Sequence, residues 1–467
     1  MSSILIKNPL VLATMNEHRE EFSGGHIYIE NGVIKSLGRD EGEHQQADEI
    51  IDASGMVVLP GFINTHHHFY QSLTRNIPIM QNAGLFEWLT LHYQLWQELT
   101  AEAVHVSTVT AIIELMKSGT TTSSDHLYLF PNNISKELLD VEIESAKKTG
   151  IRFQPTRGSM SLGKSKGGLP PDAVVQSEAE IMADTERLIG KYHNDSDGSM
   201  VRISLAPCSP FSVTPDLMKH TAEYARINSL MIHTHLAETL DEEEFCLKKF
   251  GMRPVEYMKY LGWTSHNAWF AHTVHLNDNE VKLLGEKRCG ISHCPSSNMR
   301  LGSGIARVKE MAEAGVKVSL SVDGSASNDS GNMLAEARNA MLLSRMREKE
   351  YWLTAREVLW FATRGGAAVL GRDDVGQLAV GKRADIAMFS VEGIEYAGSK
   401  SDPLASLLFT GRMSPVDYLI IEGKIRIRKG KTGIDEVKLG QVHDRISKEM
   451  ISRAIKKSEI DFLQIDR

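Results

Sequence analysis

His66 and His68 stand two residues apart at the end of Pro60-Gly61-Phe62-Ile63-Asn64-Thr65-His66-His67-His68. Side chains alternate faces along a strand, so this pair points one way and His67 the other. Two neutral imidazoles at that spacing suit a divalent transition metal. A second group lies in Met231-Ile232-His233-Thr234-His235-Leu236-Ala237-Glu238, where His233 and His235 share a face and Glu238 stands at the rim. Ala271-His272-Thr273-Val274-His275 ends another apolar run. Ser321-Val322-Asp323-Gly324 places an acid after a buried-looking strand, where a carboxylate is costly unless paired or metal-bound. Taken singly, His272 also reads as a core histidine and Asp323 as a turn residue. Taken together, these residues describe a metal site with acid–base groups beside it.

Such groups need a frame that brings distant strand ends to one place. Residues 61–370 alternate short apolar strands with longer helical patterns, the signature of parallel βα units. Eight strands are predicted: Val57–His66, Gly119–His126, Ile151–Ser159, Val201–Ser209, Ser229–Glu238, Ala268–His275, Gly290–Pro295 and Val316–Asp323. Helical runs over Ala101–Lys117, Val174–Tyr192, Pro215–Asn228 and Asn332–Arg347 separate them. The expected class is α/β, a (β/α)8 TIM barrel whose site lies at the C-terminal strand ends. Asp125, His126, Arg157, Cys208 and His293 fall at such ends too. Residues 1–60 and 371–467 are β-rich in short runs divided by turns such as Glu30-Asn31-Gly32 and Glu422-Gly423-Lys424. They are expected to form one discontinuous β-sandwich domain. Its charged end, about 440–467, reads as a solvated tail helix rather than part of a site.

The chain has 467 residues, a net charge of −8 and a pI near 6.2. That balance argues against nucleic acid or an anionic membrane as partner, because a phosphate footprint needs clustered Lys and Arg. The N-terminus lacks the pattern of a signal peptide, and no apolar run is long enough to span a bilayer. Four cysteines without CxxC spacing read as buried, reduced thiols of a cytoplasmic protein.

The motifs together resemble the amidohydrolase superfamily, in its mononuclear purine and triazine deaminase branch. The resemblance runs along essentially the whole chain. It rests on Pro-Gly-Phe-Ile-Asn-Thr-His-x-His at 60–68, His-Leu-Ala-Glu at 235–238, Ala-His-x-x-x-Leu at 271–276, His-Cys-Pro-x-Ser-Asn at 293–298, Ser-Val-Asp-Gly-x-x-Ser-Asn at 321–328 and Gly-Gln-Leu-x-Val-Gly-Lys-x-Ala-Asp at 376–385. It implies His66, His68, His235 and Asp323 as metal ligands, with Glu238, His272 and Asp323 as catalytic groups. Binuclear members bridge their metals with a carboxylated Lys on the fourth strand, whereas Val201–Ser209 has none. One metal per chain is therefore expected, Zn2+ with Fe2+ also compatible, since three His and one Asp suit both.

The same resemblance implies a mechanism and a substrate class. Asp323 accepts the proton of an attacking water, Glu238 protonates a ring nitrogen and then the leaving amine, and His272 stabilises the adduct. Gln71 matches a glutamine with which guanine deaminases bind their purine. The string His66-His67-His68-Phe69-Tyr70-Gln71-Ser72-Leu73-Thr74-Arg75 and Arg157-Gly158-Ser159-Met160-Ser161-Leu162 are similar to 8-oxoguanine deaminases and their hydroxytriazine-hydrolysing relatives. The expected reaction is a zinc-dependent deamination of a small oxopurine-like ring, 8-oxoguanine going to urate and ammonia. The alternative is hydrolysis of a substituted s-triazine with loss of alkylamine or chloride. Arg157 either binds a substrate oxygen or sits in a structural ion pair. Trp88 and Trp96 either wall the pocket or pack in the core, with the core reading favoured. A non-catalytic scaffold would lose ligands that are all present here. A homo-oligomer, dimer or larger, is expected for such barrels.

Overall fold

The computed structural model describes residues 3–40, 42, 45–132, 134, 137–411 and 413–465. Its centre is an eight-stranded parallel sheet whose neighbours follow chain order. The strands are β1 (Phe62–Asn64), β2 (Thr120–Leu127), β3 (Arg152–Ser159), β4 (Ser204–Pro207), β5 (Ile232–Leu236), β6 (Ala268–His272), β7 (Gly290–His293) and β8 (Lys317–Leu320). This is the expected (β/α)8 barrel. Polar side chains tie its first and last strands. Thr65 Oγ1 lies 2.7 Å from Ser319 Oγ, Asn64 Oδ1 accepts from Val322 N at 3.0 Å, and Asp323 N donates to His66 O at 3.2 Å.

The helices outside the barrel begin where a side chain can satisfy their first free N–H groups. Thr100 caps Ala101–Lys117, Thr214 caps Pro215–Ile227 and Asn332 caps Met333–Ser344. The expected helix over 174–192 starts at Glu178, because Ser177 and Glu180 form a reciprocal capping box there. Asp172–Val174 is a separate short 3-10 turn.

One expected strand is two. Met56–Pro60 pairs with Ile386–Ser390 in another sheet, and only Phe62–Asn64 enters the barrel. Gly61 makes the transfer. Its N–H donates to Asp385 O at 3.0 Å, and a Cβ there would stand 2.1 Å from Thr121 Cγ2. Only glycine passes that close to a neighbouring strand.

The outer sheets draw on both chain ends. Ser3–Lys7, His26–Glu30, Val33–Gly38 and Glu49–Asp52 form a four-stranded sheet. Val11–Ala13, Glu21–Phe22 and Met56–Pro60 join Ile386–Ser390, Tyr418–Ile421 and Lys424–Arg428 in a six-stranded one. The two share a dry core in which Ile6, Ile27 and Ile51 meet Val58, Ile386 and Ile420.

The C-terminal segment is not the solvated tail its charge suggests. Helix Glu436–Ser458 buries His443, Ile446, Met450 and Ala454 and joins the main core. Its polar face alone carries the charge that the sequence shows. All four cysteines are free and buried. Among the described residues no helix is long and apolar enough to cross a membrane.

Candidate active site

At the C-terminal mouth of the barrel the strand ends bring His66, His68, His235, Glu238, His272 and Asp323 together, all of them near or below one-tenth exposed except the half-buried His235. The backbone is strained where two of these residues sit. His272 has φ of 73° and Asp323 of 61°, in the left-handed region. Each such residue costs of order 1 kcal/mol, tolerable where the fold must aim a functional side chain.

Hydrogen bonds settle which nitrogen of each imidazole is free. His68 Nδ1 lies 2.8 Å from His126 O, and His235 Nδ1 lies 2.7 Å from Cys208 O. A carbonyl only accepts, so both Nδ1 atoms carry the proton and both Nε2 atoms carry a lone pair. These two Nε2 atoms then face each other at 3.1 Å. Two facing lone pairs repel unless a cation lies between them. His66 Nε2 stands 3.2 Å, and His68 Nε2 3.5 Å, from Asp323 Oδ1. Ligand atoms around a tetrahedral metal with ~2.0–2.1 Å bonds are about 3.3 Å apart. The spacing and donor set fit a divalent transition metal.

Electrostatics agree. Burial pushes His66 and His68 below the usual histidine range and His235 down to about 3, so all three stay neutral as ligands must. Burial works against the Asp323 carboxylate, yet His66, His272 and His68 around it hold it well below the usual range. Burial raises Glu238 to about 7, which leaves its carboxyl able both to give and to take a proton near neutrality. Burial opposes charge on His272, but the Glu238, Cys294 and Asp323 beside it hold it well above an ordinary histidine. Its Nε2 is 3.5 Å from Glu238 Oε2 and 3.9 Å from Asp323 Oδ2, while Nδ1 is fixed 2.9 Å from Asn298 Oδ1.

Above these groups lies a small pocket. Gln71 lines it, and its buried Oε1 has no hydrogen-bond partner. Trp88 lines it as well, with a buried indole Nε1 equally unpartnered, while its ring packs in the core against His92 and Trp96, so it meets both expectations. Trp96 does pack in the core, where its Nε1 donates to Thr74 Oγ1 at 3.0 Å and its ring meets Tyr70.

Arg157 needs a correction, because it is not on the pocket wall. Its Nε pairs with Asp184 at 2.6 Å, Nη2 donates to Gln176 Oε1 at 2.9 Å, Nη1 donates to Gly158 O, and the guanidinium lies over the Phe130 ring. All three of its side-chain nitrogens are engaged inside the protein, away from the residues that line the pocket. No residue of the loop 160–172 that follows lines the pocket, but Leu169 N donates to the carbonyl of the wall residue Phe211, and Ser161 N and Leu162 N donate to that of Ser212 next to it.

Sequence reasoning assigned no role to several residues that the fold brings here. Leu85, Leu89, Tyr93, Tyr128, Phe211 and Leu301 complete the wall. Leu85, Leu89 and Tyr93 recur at helical spacing, a pattern that a core-facing helix shares. His126 also joins the imidazole cluster, its ligand atom and those of His66, His68 and His235 all lying within 4.8 Å of one another.

The chain belongs to the amidohydrolase family, whose model matches residues 57–426. Within it the chain is a hydrolytic deaminase acting on carbon–nitrogen bonds. It is 46% identical to the 8-oxoguanine deaminase of Pseudomonas aeruginosa, over 93% of this chain and 96% of that protein. It is 32% identical to the hydroxydechloroatrazine ethylaminohydrolase of Pseudomonas sp. (strain ADP), over 92% of each. The crystal structure of the atrazine chlorohydrolase of Arthrobacter aurescens TC1 complexed with zinc superposes with a TM-score of 0.91 at 31% identity, covering 95% of this chain and 100% of that one.

Proposed function

We propose that this chain is a single-zinc aminohydrolase that converts 8-oxoguanine to urate and ammonia. The observation that carries the reading is the buried, unpartnered Gln71 Oε1 on the wall shared with Glu238, His272 and Asp323. A buried acceptor without a partner costs ~1–3 kcal/mol, a cost that a ring N–H removes on binding. The unpartnered Trp88 Nε1 offers a donor to a ring oxygen or nitrogen. An acceptor and a donor on one wall match an oxopurine edge, which carries both.

His66, His68, His235 and Asp323 would hold the metal, which when bound lowers the pKa of a water toward ~7. Asp323, kept anionic by its imidazole neighbours, accepts a proton from the water that attacks the amine-bearing ring carbon. Protonated Glu238 delivers a proton to the adjacent ring nitrogen, and His272 stabilises the negative charge that develops on the attacking oxygen. A second proton, passed on through Glu238, leaves with the amine as ammonia. The carbon–nitrogen bond breaks, a carbon–oxygen bond replaces it, and one water is consumed.

Ammonia release measured across 8-oxoguanine, guanine, isoxanthopterin, cytosine and hydroxytriazines tests the reading. The expected result is the highest kcat/KM with 8-oxoguanine. Alkylamine release from hydroxytriazines without turnover of 8-oxoguanine would replace it with a triazine hydrolase.

A further inference from the structure

His233 stands two residues before His235 on β5, fully buried, and takes no part in the reaction proposed above. Both its ring nitrogens are engaged. Nδ1 lies 2.9 Å from Trp269 O and Nε2 lies 2.8 Å from His66 Nδ1. The carbonyl can only accept, so Nδ1 of His233 carries its proton. A neutral imidazole has one N–H, and Nε2 must therefore be the acceptor. The proton between the two histidines belongs to His66 Nδ1. That leaves His66 Nε2 with a lone pair on the side of Asp323 Oδ1, 3.2 Å away.

The other two imidazole ligands have their tautomers fixed by a carbonyl directly, from His126 and from Cys208. His66 has its tautomer fixed by a carbonyl at one remove. Trp269 holds the relay in plane. Its ring stacks on His233 with centroids 4.5 Å apart and 17° between planes, and its Nε1 donates to Thr65 O at 3.2 Å, next to His66 itself.

We propose that His233 is a positioning residue that fixes His66 in the Nδ1–H tautomer and orients its ring, and so sets the affinity of the site for a divalent transition metal. This goes beyond the deaminase reading and rests only on its ligand set. An outer hydrogen bond of this kind is worth about 10–100-fold in metal affinity. With its partner removed, the His66 ring can turn over or take the other tautomer, which places an N–H where the lone pair is needed.

The test is Zn2+ affinity of the metal-free full chain, read by competition with a chromophoric chelator, and the visible spectrum of the Co2+ form. His233→Phe keeps the ring volume against Trp269 and loses both hydrogen bonds. His233→Asn keeps a donor for Trp269 O but cannot reach His66. Both variants are expected to bind Zn2+ about 10–100-fold more weakly and to alter the Co2+ bands. His233→Gln, whose terminal oxygen reaches as far as Nε2, is expected to recover part of the loss. Zn2+ affinity within twofold of the unaltered chain for either the Phe or the Asn variant would overturn the proposal, and the Asn variant alone decides if the Phe variant does not fold. Unaltered chain that deaminates normally beside an unaffected variant removes only the role of His233. Unaltered chain that binds no metal removes the deaminase reading with it.

Discussion

Ser447 donates its hydroxyl to the carbonyl of Leu73 at 2.6 Å, across 374 residues of sequence. One turn earlier on the same helix, His443 Nε2 meets Ser72 Oγ at 3.1 Å. Ser72 and Leu73 belong to the 3-10 turn Phe69–Thr74, which runs on from His68 and carries Gln71. Farther along, Arg453 and Lys457 both pair with Glu98, just past helix Leu85–Trp96 and its wall residues Trp88 and Tyr93. The end of the chain thus braces the elements that would recognise substrate.

The double variant His443→Ala, Ser447→Ala should raise KM for the preferred substrate several-fold to about tenfold while zinc content stays at that of the unaltered chain. Each lost hydrogen bond is worth about 1 kcal/mol, and the loosened turn carries Gln71 rather than the acid–base groups. Unchanged KM with a large fall in kcat would place the brace on the chemistry instead.

Glu238→Gln removes the group that gives and takes protons yet keeps its shape. Turnover should fall by a factor of about 10²–10⁴ or more, with metal still bound, because proton transfer to the ring nitrogen and to the amine both pass through this carboxyl. Metal content and single-turnover ammonia release on the same sample check this. Appreciable residual activity would assign the proton transfers elsewhere.

What the sequence made legible follows from the reach of each pattern. The His66/His68 pair and the acid after Val322 have strand spacing and strand ends as their signal, and barrel topology brings strand ends together. Trp88 and Trp96 illustrate the opposite case. They lie eight residues apart on one helix, and helical periodicity does not say which of two buried rings faces the pocket. Arg157 sits at a strand end as a binding residue should, but the cation's partner, Asp184, lies on a helix whose packing no local pattern reveals. Gly61 splits a continuous apolar run because of a contact with Thr121 across strands, which only the tertiary structure contains.

Asp125 and Glu142 form a buried pair of acids behind the metal-binding turn, with Asp125 Oδ1 accepting from Phe69 N at 2.6 Å. Burial pushes Asp125 up to about 8, and burial together with the charge of Asp125 pushes Glu142 well above the usual carboxylate range. Folded-state values raised above the unfolded ones mean that the native state holds protons the unfolded chain has released. Their contribution to stability is complete below about pH 4 and is lost as pH rises through about 8. Thermal midpoints of the unaltered chain should fall over that window more steeply than those of Glu142→Gln, which has one fewer acid to ionise in a dry site. Parallel pH profiles would show that Glu142 ionises at the same pH in the folded chain as in the unfolded one.

Arg152 and Asp385 join the base of the barrel to the outer sheets. Nε and Nη2 of Arg152, on β3, meet the two Asp385 oxygens at 2.8 and 3.0 Å, and Nη1 donates to Gly198 O and Ser199 O at 2.8 and 3.0 Å. Asp385 directly precedes the strand Ile386–Ser390, and its Oδ1 also accepts from Glu422 N at 2.8 Å. Both side chains are almost fully removed from water. Arg152→Met therefore strands a carboxylate in a dry interface, at a cost of about 3–5 kcal/mol. Asp385→Asn strands the guanidinium in the same way, although Glu422 Oε2, 2.5 Å from Nη2, softens that loss. The double variant removes both charges and should be more stable than the sum of the two losses predicts, since contacting charges couple by about 0.5–3 kcal/mol. Urea unfolding of the four proteins measures the coupling. Losses that add to within about 0.5 kcal/mol would mean that Arg152 is held by the Gly198 and Ser199 carbonyls and that the charge pair does not fasten the outer sheets to the barrel.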